Sequence, residues 1–392
     1  MDFEYRNVYL DNNATTKVDP EVLQAMIPYF CDDYGNPNSL HSYGQKARRA
    51  LSDSLDIIYD CLGASDEDSV LITANSTEGN NTVLKTILGE YQRNKTTGRN
   101  KIIISEIEHP SISEASSYLT QNGIEIIKLS VNQEGIVDPE ELKKKIDDKT
   151  ALVSCMWVNN ETGLILPIKE LCEIAHSHGA LFHTDATQAM GKIDVNVKNV
   201  PVDYLTFTAH KFHGPKGVGA LFIRQNKPII PLLHGGEQMG GLRSGTIDIP
   251  SVVGLAKSLQ MAVKGIEYEN KVVKELRDKL ENFLRTIPDT TVVGNPELRV
   301  PNTILVSFKG VEGEAMLWDL NKYGVAASTG SACASESLQA NPTFQAMKFG
   351  EDLSHTGIRL SLSRFTTEED IEYTIKVIDK CVKRLREFSS TY

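Results

Sequence analysis

The stretch "IKELCEIAHSHGALFHTD" (residues 168–185) decides the fold class of this 392-residue chain. Its first part places apolar residues at the spacing of one helix face, at Ile168, Leu171, Cys172 and Ala175. Its last part is a short apolar run that ends in a carboxylate, Asp185. A helix followed at once by a buried strand is the repeating unit of an α/β domain with a mostly parallel sheet.

The same alternation extends on both sides of this stretch. Further strands are predicted in "SVLIT" (69–73), "KIIIS" (101–105), "ALVSCMWV" (151–158), "YLTFTA" (204–209) and "GALFI" (219–223). We therefore predict a large α/β domain over residues 15–260, with a mostly parallel sheet flanked by helices. Binding sites in such sheets lie at the carboxyl ends of the strands.

The last third of the chain has a different pattern. A long helix is predicted from Pro250 to about Ile287, followed by strands in "TTVVGN", "NTILVSF" and "GIRLSLS". A final amphipathic helix opens on Thr366 and Thr367 as candidate caps. Residues 1–14 and 261–392 are predicted to form a smaller α+β domain.

Composition excludes several classes of protein. The apolar fraction of 40% and the charged fraction of 24% are those of an ordinary soluble globular protein. A formal charge of −11 argues against a general nucleic-acid or membrane surface. The start, "MDFEYRNVYLDNN", lacks a basic segment followed by an apolar run, so we expect a cytoplasmic protein.

One of the six cysteines stands in an unusual setting. Cys333 lies in "STGSACASES" (328–337), a run of small and polar residues typical of an exposed loop. A structural cysteine is normally buried among apolar neighbours. Cys333 is therefore either an incidental surface thiol or a thiol that must reach something. The other five are scattered without metal-ligand spacing and are expected in the core or on helices: Cys31, Cys61, Cys155, Cys172 and Cys381.

The segment "TFTAHKFHGPKGVGALFI" (206–223) places a lysine between two strands. Lys211 is either a surface charge or an amine that forms a Schiff base with an aldehyde cofactor such as pyridoxal phosphate. Asp185, 26 residues earlier, is either a helix cap or the carboxylate that keeps a pyridine nitrogen protonated. One crossover fits between the two, so they are expected on neighbouring strands.

Two further segments contain residues suited to a flat, phosphorylated cofactor. In "VLITANSTEGNN" (70–81) a helix begins near Thr77, and its hydroxyls and free backbone N–H groups are either plain caps or a phosphate site. In "SEIEHPSI" (105–112) His109 is either structural or a ring that stacks on a cofactor and moves protons.

Taken together, the motifs resemble a known family. They are "YLDNNATT", "GNPNSLHSYG", "VNNETG", "TDATQAMGK", "TAHKFHGPKGVGAL", "LRSGT", "GSACAS" and "IRLSLSRFTTEED", in that order. The chain resembles class V, fold type I pyridoxal-phosphate enzymes and, more narrowly, cysteine desulfurases of the nitrogen-fixation or iron–sulfur-cluster type. The similarity extends nearly end to end.

The resemblance implies roles for individual residues around pyridoxal phosphate. Lys211 would form the Schiff base, Asp185 would pair with the pyridine nitrogen, and His109 would stack over the ring. Contacts to ring and substrate are implied for Gln188 and Asn160, and contacts to the phosphate for Ser76, Thr77, Thr208 and His210.

Substrate and subunit contacts are implied as well. Arg359 of "IRLSLS" would bind the carboxylate of L-cysteine, with Asn36 nearby. Thr246 of "LRSGT" would reach the phosphate of the neighbouring subunit, which implies a homodimer. Cys333 would accept the sulfur as a persulfide while L-alanine leaves, with His109 a candidate proton acceptor. An iron–sulfur scaffold protein is the expected sulfur acceptor, and no permanent metal is expected, although Cys333 can transiently ligate a nascent cluster.

Departures from the family pattern are few. "ANSTEGNN" replaces a more glycine-rich turn and Thr208 stands where serine is usual, but both keep a hydroxyl. The chain ends in "KRLREFSSTY" (383–392), without the longer tail that the resemblance implies for the iron–sulfur-cluster branch, so we expect the nitrogen-fixation branch. Selenocysteine lyase or another class V enzyme is the nearest alternative, although an aminotransferase has no use for Cys333. A non-catalytic scaffold that keeps an enzyme fold is the alternative from a different class.

Overall fold

The computed structural model describes residues 4–94, 98–329, 342–389 and 392. The strands in chain order are β1 (Val8–Tyr9), β2 (Ser69–Thr73), β3 (Lys101–Ser105), β4 (Glu125–Leu129), β5 (Thr150–Ser154), β6 (Leu181–Asp185), β7 (Tyr204–Thr208), β8 (Gly219–Ile223), β9 (Thr290–Val292), β10 (Thr303–Phe308), β11 (Val325–Ala326) and β12 (Gly357–Ser361).

The helices surround these strands. They are α1 (Pro20–Met26), α2 (Pro28–Cys31), α3 (Ser42–Leu62), α4 (Ser76–Arg93), α5 (Pro110–Gln121), α6 (Pro139–Lys145), α7 (Ile168–Ser177), α8 (Ile249–Lys264), α9 (Ile266–Tyr268), α10 (Lys274–Leu284), α11 (Gly313–Lys322), α12 (Pro342–Ala346), α13 (Glu351–Ser354) and α14 (Glu368–Glu387). Short 3₁₀ turns occur at Ala209–Lys211, Gln238–Gly241 and Pro296–Leu298.

A seven-stranded sheet forms the centre, in the order β2-β8-β7-β6-β5-β3-β4. Only β8 is antiparallel to its neighbours β2 and β7, and all the other pairs are parallel. The predicted mostly parallel sheet is thus confirmed. In the β6–β7 pair Asp185 lies opposite Thr206, so the carboxyl ends of the two strands meet at one edge.

Two strand predictions needed correction. The strand predicted through residue 158 ends at Ser154, after which the backbone N–H groups of Cys155 and Trp157 bond the carbonyls of His183 and Asp185 outside the regular ladder. Strand β4 was missed because it lies at the edge of the sheet and is partly exposed, so its segment lacks a continuous apolar run.

The single helix predicted for residues 250–287 consists of several consecutive helical segments in the structure. Helix α8 ends at Lys264, and the N–H of its C-cap Gly265 donates to the carbonyls of Met261 and Ala262. Helix α9 follows, and a π-helical turn over Glu269–Val273 precedes α10. Glycine is a poor helix former, which explains an end at this position. The sequence periodicity continues through the interruption because α8 and α10 both bury an apolar face.

The buried apolar residues form separate clusters. Two of them cover the two faces of the seven-stranded sheet. A third joins Val8 and Leu10 to residues of α10, α11 and α14 and of the antiparallel sheet β12-β10-β9. The division of the chain at residues 14 and 260 stays a prediction. Helix α14 begins with a capping box between Thr367 and Asp370, so of the two predicted caps Thr367 is the one used.

Candidate active site

A cavity of about 820 Å³ lies at the carboxyl ends of the central strands, as the fold class predicts. Ten of the residues singled out in the sequence line it: Ser76, Thr77, His109, Asn160, Asp185, Gln188, Thr208, His210, Lys211 and Arg359. Asn36 and Thr246 are exposed and are not among its lining residues. Cys333 falls outside the described residues.

Lys211 projects from the 3₁₀ turn that follows β7. Its Nζ donates hydrogen bonds to the carbonyl oxygens of Asn13 and Ala14, at 2.7 and 2.8 Å. The N-terminal segment therefore holds the ammonium group at the cavity wall.

Asp185 is the buried last residue of β6. Its Oδ1 accepts the backbone N–H of Thr187 at 2.9 Å, and its Oδ2 accepts Nδ2 of Asn80 at 2.8 Å. Two donors on separate elements fix the orientation of the carboxylate. Asn80, on the first turns of α4, is fully buried and was not singled out from the sequence.

His109 is the N-cap of α5, and its Nδ1 accepts the backbone N–H of Ser111 at 3.1 Å. Burial is the main cause that lowers its pKa below the ordinary value; Lys211 acts in the same direction and Asp185 in the opposite one. The neighbouring Glu108 is also buried, and its Oε1 accepts the N–H of Met156 at 2.8 Å. Burial raises the pKa of Glu108 to about 8, so this carboxyl is mostly neutral at pH 7.

The start of α4 forms another wall. Ser76 Oγ lies 2.5 Å from Thr187 Oγ1, and the side chain of Asn75 caps the helix. A Cβ on Gly219 would lie 3.1 Å from backbone atoms of Asn75 and 2.6 Å from Phe207 O, so glycine lets the helix start approach β8. Free backbone N–H groups and hydroxyls at such a start suit a phosphate.

Two residues expected near the phosphate have partners of their own. The hydroxyl of Thr208 donates its hydrogen to Val218 O at 2.8 Å. In this arrangement the hydroxyl can only accept a hydrogen bond from a group in the cavity. Nδ1 of His210 lies 3.1 Å from Thr15 Oγ1, and burial lowers the pKa of His210 to about 4. His210 is therefore neutral at pH 7.

Arg359, in the middle of β12, is buried and lines the cavity. Its Nη2 pairs with Asp11 Oδ1 at 2.9 Å, and its Nη1 donates to Asn160 O at 3.1 Å. Its backbone N–H donates to Ser328 O at 2.7 Å. Ser328 comes just before the segment 330–341, and after that segment the chain returns at Pro342, which lines the cavity.

Asn13 links several of these groups, and sequence reasoning missed it. Its Nδ2 donates to Asn160 O and to Thr303 Oγ1, at 3.2 and 2.9 Å. Its carbonyl oxygen accepts Gln188 Nε2 at 2.9 Å as well as Lys211 Nζ. The signal was present in "YLDNNATT", where two consecutive amides precede a polar run, but nothing in the sequence indicated their burial.

Lys192 is buried next to Asn13 and Gln188, and sequence reasoning missed it as well. Its Nζ donates to Gln188 Oε1 at 2.5 Å and to Asn13 Oδ1 at 3.4 Å. Burial, and next the Lys211 ammonium, lower the pKa of Lys192 to about 7. It lines a second cavity of about 570 Å³ together with Glu269, whose pKa burial raises to about 7.

The cysteines of the described ranges lie away from the cavity lining. Cys155 and Cys172 are buried as expected. The three cysteines expected on helices are there: Cys31 is exposed at the end of α2, Cys61 is half-buried on α3, and Cys381 is buried on α14. Burial raises the pKa of the Cys61 thiol to about 11 and those of Cys172 and Cys381 to about 12. These three thiols therefore stay protonated at neutral pH.

The donor set fits pyridoxal phosphate. An amine, a buried carboxylate and a helix start with two hydroxyls meet in one cavity, and they match the aldehyde, the pyridine nitrogen and the phosphate of that cofactor. Within residues 4–94, 98–329, 342–389 and 392, no three His, Cys, Asp or Glu side chains form a metal-binding group. No helix in this described part of the chain is long and apolar enough to cross a membrane.

Comparisons with known proteins show what the whole chain is similar to. The family model "Aminotransferase class-V" matches residues 8–374. "Cysteine desulfurase NifS" of Azotobacter vinelandii is 42% identical over 384 residues, covering 98% of this chain and 94% of the relative. "Cysteine desulfurase" of Trichormus azollae is 43% identical over 383 residues, covering 97% and 94%. A solved structure titled "NIFS-LIKE PROTEIN" has a TM-score of 0.91 and 36% identity, covering 97% of this chain and all of that one.

Proposed function

The chain belongs to the class-V aminotransferase family, and from that premise we propose how its cavity works. The protein is a pyridoxal-phosphate-dependent cysteine desulfurase, which takes sulfur from L-cysteine and leaves L-alanine. One observation carries the proposal for the site: Lys211, Asp185, Arg359 and the start of α4 line the same cavity.

The cofactor would be held at three points. Lys211 would bind its aldehyde carbon, Asp185 its pyridine nitrogen, and the start of α4, with Ser76 and Thr77, its phosphate. When bound, pyridoxal phosphate supplies an electron sink for the bonds to the substrate Cα. The two hydrogen bonds to Asp185 keep its carboxylate aimed without further rearrangement.

The protein's own groups bind the substrate and move its protons. Arg359 offers a planar pair of donors that matches the carboxylate of L-cysteine. Its ion pair with Asp11 and its bond to Asn160 O hold the guanidinium in place. Lys211 Nζ would be the amine that accepts the proton from the substrate Cα.

Cys333 is the proposed sulfur acceptor. Its sulfur would form a bond to the substrate sulfur as the substrate carbon–sulfur bond breaks. L-cysteine plus the Cys333 thiol thereby becomes L-alanine plus the Cys333 persulfide, with no other oxidant. Two observations on described residues support this role: Ser328 is paired with Arg359, and Pro342 lines the cavity.

The partners follow from the same proposal. We retain a homodimer in which Thr246, exposed in this chain, reaches the neighbouring cavity, and a cytoplasmic iron–sulfur scaffold protein as the acceptor of the persulfide sulfur. Asn36, also exposed, is a candidate for contact with substrate only if the subunit arrangement brings it to a cavity. Size-exclusion chromatography with light scattering tests the homodimer. Recovery of alanine release when Thr246→Ala is mixed with Lys211→Ala tests whether sites are shared between subunits, and no recovery would contradict a shared site.

The test of the function is spectroscopic and chemical. The purified protein should be yellow and should release alanine from L-cysteine, and Lys211→Ala should abolish the release. Lys216→Ala, which changes an exposed lysine five residues away, is the matched control and should retain both properties. A colourless protein that pyridoxal phosphate cannot reconstitute would overturn the proposal.

The role of Cys333 has its own test. Cys333→Ser should lose catalytic turnover, whereas Cys31→Ser, a change at an exposed cysteine, should not. Full turnover by Cys333→Ser would refute the persulfide step and would favour a lyase that does not need this thiol.

A further inference from the structure

The nitrogen Nδ1 of His109 is occupied by the first turn of its own helix. The backbone N–H of Ser111 points at it at 3.1 Å, and the hydroxyl oxygen of Ser111 lies 2.9 Å away. A backbone N–H can only donate, so Nδ1 must be an acceptor and carries no proton. The proton of a neutral His109 ring therefore lies on Nε2.

This assignment sets the direction of the next hydrogen bonds. Because Nδ1 accepts, the Ser111 hydroxyl donates to it, and the oxygen of that hydroxyl is free to accept Nδ2 of Asn80 at 2.9 Å. The other hydrogen on Asn80 Nδ2 is donated to Asp185. A carboxylate only accepts, which fixes which end of the Asn80 amide faces it.

The far end of the Asn80 amide is fixed as well. Asn80 Oδ1 accepts the hydroxyl of Thr206, which lies on β7 opposite Asp185. Asn80 and Thr206 are completely buried, so water does not compete for these bonds. The donors and acceptors from Thr206 through Asn80 to Ser111 and His109 are thus consistent in one direction only.

The charges around His109 agree with a neutral ring. The ionisable groups that act on it are Asp185 and Lys211, with opposite effects on its pKa, and burial outweighs both. Nε2 of His109 has no hydrogen-bond partner among the residues that the structure describes, and the ring lines the cavity. A bound group is therefore met by an N–H donor.

We propose that Ser111 and Asn80 are positioning residues that lock His109 in the tautomer with its proton on Nε2, so that His109 donates a hydrogen bond to bound cofactor or substrate rather than accepting a proton. Accepting one would require Nδ1 to be released from the start of α5. The inference rests on the proposed function only for the identity of the bound group. In this scheme, deprotonation of an attacking thiol falls to a group other than His109.

The experiment measures the tautomer directly, in cofactor-free protein labelled with ¹⁵N-histidine. His109 signals are identified by their loss in His109→Gln, and two-bond ¹⁵N–¹H correlations report which nitrogen carries the proton. We expect the wild type to have Nδ1 bare and Nε2 protonated, with little change between about pH 6 and pH 8, where an ordinary imidazole titrates. A proton on Nδ1, or an imidazolium ring at pH 7, would overturn the proposal.

Variants separate the lock from the general structure. Ser111→Ala removes the hydroxyl donor, and Asn80→Ala removes the donor to that hydroxyl. Both should give a ring that gains a proton within this pH range, because only the backbone N–H of Ser111 then holds Nδ1 as an acceptor. Gln121→Ala, at an exposed position at the end of α5 and outside the cavity lining, should leave the His109 signals unchanged. Signals of Asn80→Ala identical to wild type would remove Asn80 from the proposal.

Activity supplies a second readout. Loss of one neutral hydrogen bond predicts a decrease of kcat of about 3- to 10-fold in loaded Ser111→Ala, with a new ionisation in the pH profile. The tautomer is measured in cofactor-free protein, whereas the desulfurase assignment is tested by the yellow colour and by alanine release. Failure of the tautomer proposal is therefore distinguishable from failure of that assignment.

Discussion

The two sides of the cavity are built from different interactions. On the Asn80 side (Asn80, Ser111, His109 and Asp185), neutral donors of fixed direction surround one carboxylate. On the Asn13 side (Asn13, Gln188, Lys192 and Lys211), two ammonium groups are held by carbonyl and amide oxygens. The first side lies within the large sheet and its helices, whereas the second joins the N-terminal segment to that sheet.

The difference teaches how each side should respond to change. Geometry on the Asn80 side depends on hydrogen-bond direction, so an isosteric swap of donor for acceptor should damage it. The Asn13 side contains Lys192, a buried amine whose pKa burial lowers to about 7, so it should respond to pH. Four predictions test this contrast, from the largest effect to the smallest.

Asp185→Asn should be the most damaging change. The new amide can accept from Thr187, but its Nδ2 would face Nδ2 of Asn80, two donors against each other. Loss of a buried charge partner is worth about 3–5 kcal/mol, so we expect kcat for alanine release to fall on the order of 10²- to 10³-fold. Asp194→Asn, the same change at an exposed site, is the control. A loss of less than about tenfold would show that neither the charge of Asp185 nor the direction of its hydrogen bond with Asn80 is needed.

Asn13→Ala should lower the free energy of unfolding, because it removes contacts on the Asn13 side. The change removes the acceptor of Lys192 and Asn302 and the donor to Thr303, all buried. Unsatisfied buried polar groups cost about 1–3 kcal/mol each, and we expect the free energy of unfolding to fall by about 2–3 kcal/mol in urea. Asn38→Ala, at an exposed site, should match wild type within error. Equal stability of the two variants would show that the Asn13 contacts are not needed.

Lys192→Met should remove a pH dependence. Lys192 titrates near pH 7 in the folded protein and near about 10.4 in the unfolded chain, so the unfolded state binds more protons between those values. Its contribution to stability is therefore present at high pH and is lost as the pH falls through about 7. Relative to Lys192→Met, the wild type should gain stability as pH rises from about 7 to about 10. The measurement is the free energy of unfolding as a function of pH, and exposed Lys198→Met should give a curve parallel to that of the wild type. A parallel curve for Lys192→Met would contradict the prediction.

Gly79→Ala should have the smallest effect. Its Cβ would lie 2.8 Å from Cγ2 of Thr206, a stiff side chain that also bonds Asn80. Overpacking costs about 1–3 kcal/mol against a gain of up to about 1 kcal/mol in helix propensity, so a net loss of about 1 kcal/mol is expected. Gly89→Ala on the same helix meets the flexible Cδ1 of Ile230 and should cost less. The reverse order in thermal unfolding would disprove this packing account.

Much of the fold was accessible from the sequence because its strands are buried on both faces. "SVLIT", "KIIIS" and "GALFI" match their strands residue for residue. The half-exposed edge strand β4 and the interruption near Gly265 were not found, because periodicity does not record which strand is outermost or where a helix bends.

The reactive groups of the site were predictable, and their supports were not. Lys211, Asp185 and His109 follow strands and carry chemistry that a cofactor needs, so residue type and position identify them. Asn80, Asn13 and Lys192 are ordinary polar residues in the sequence. They matter because they are buried, and burial is known only from the packed structure.

The sequence by itself determined which functional groups this protein has and at which strand ends they stand, because strand and helix periods are local properties of the chain. The tertiary structure alone decided which polar groups face one another. Asn80 meets Asp185 across 105 residues and Asn13 meets Asn160 across 147. The direction of a hydrogen bond depends on both partners and on the exclusion of water, and neither is set before the chain is packed.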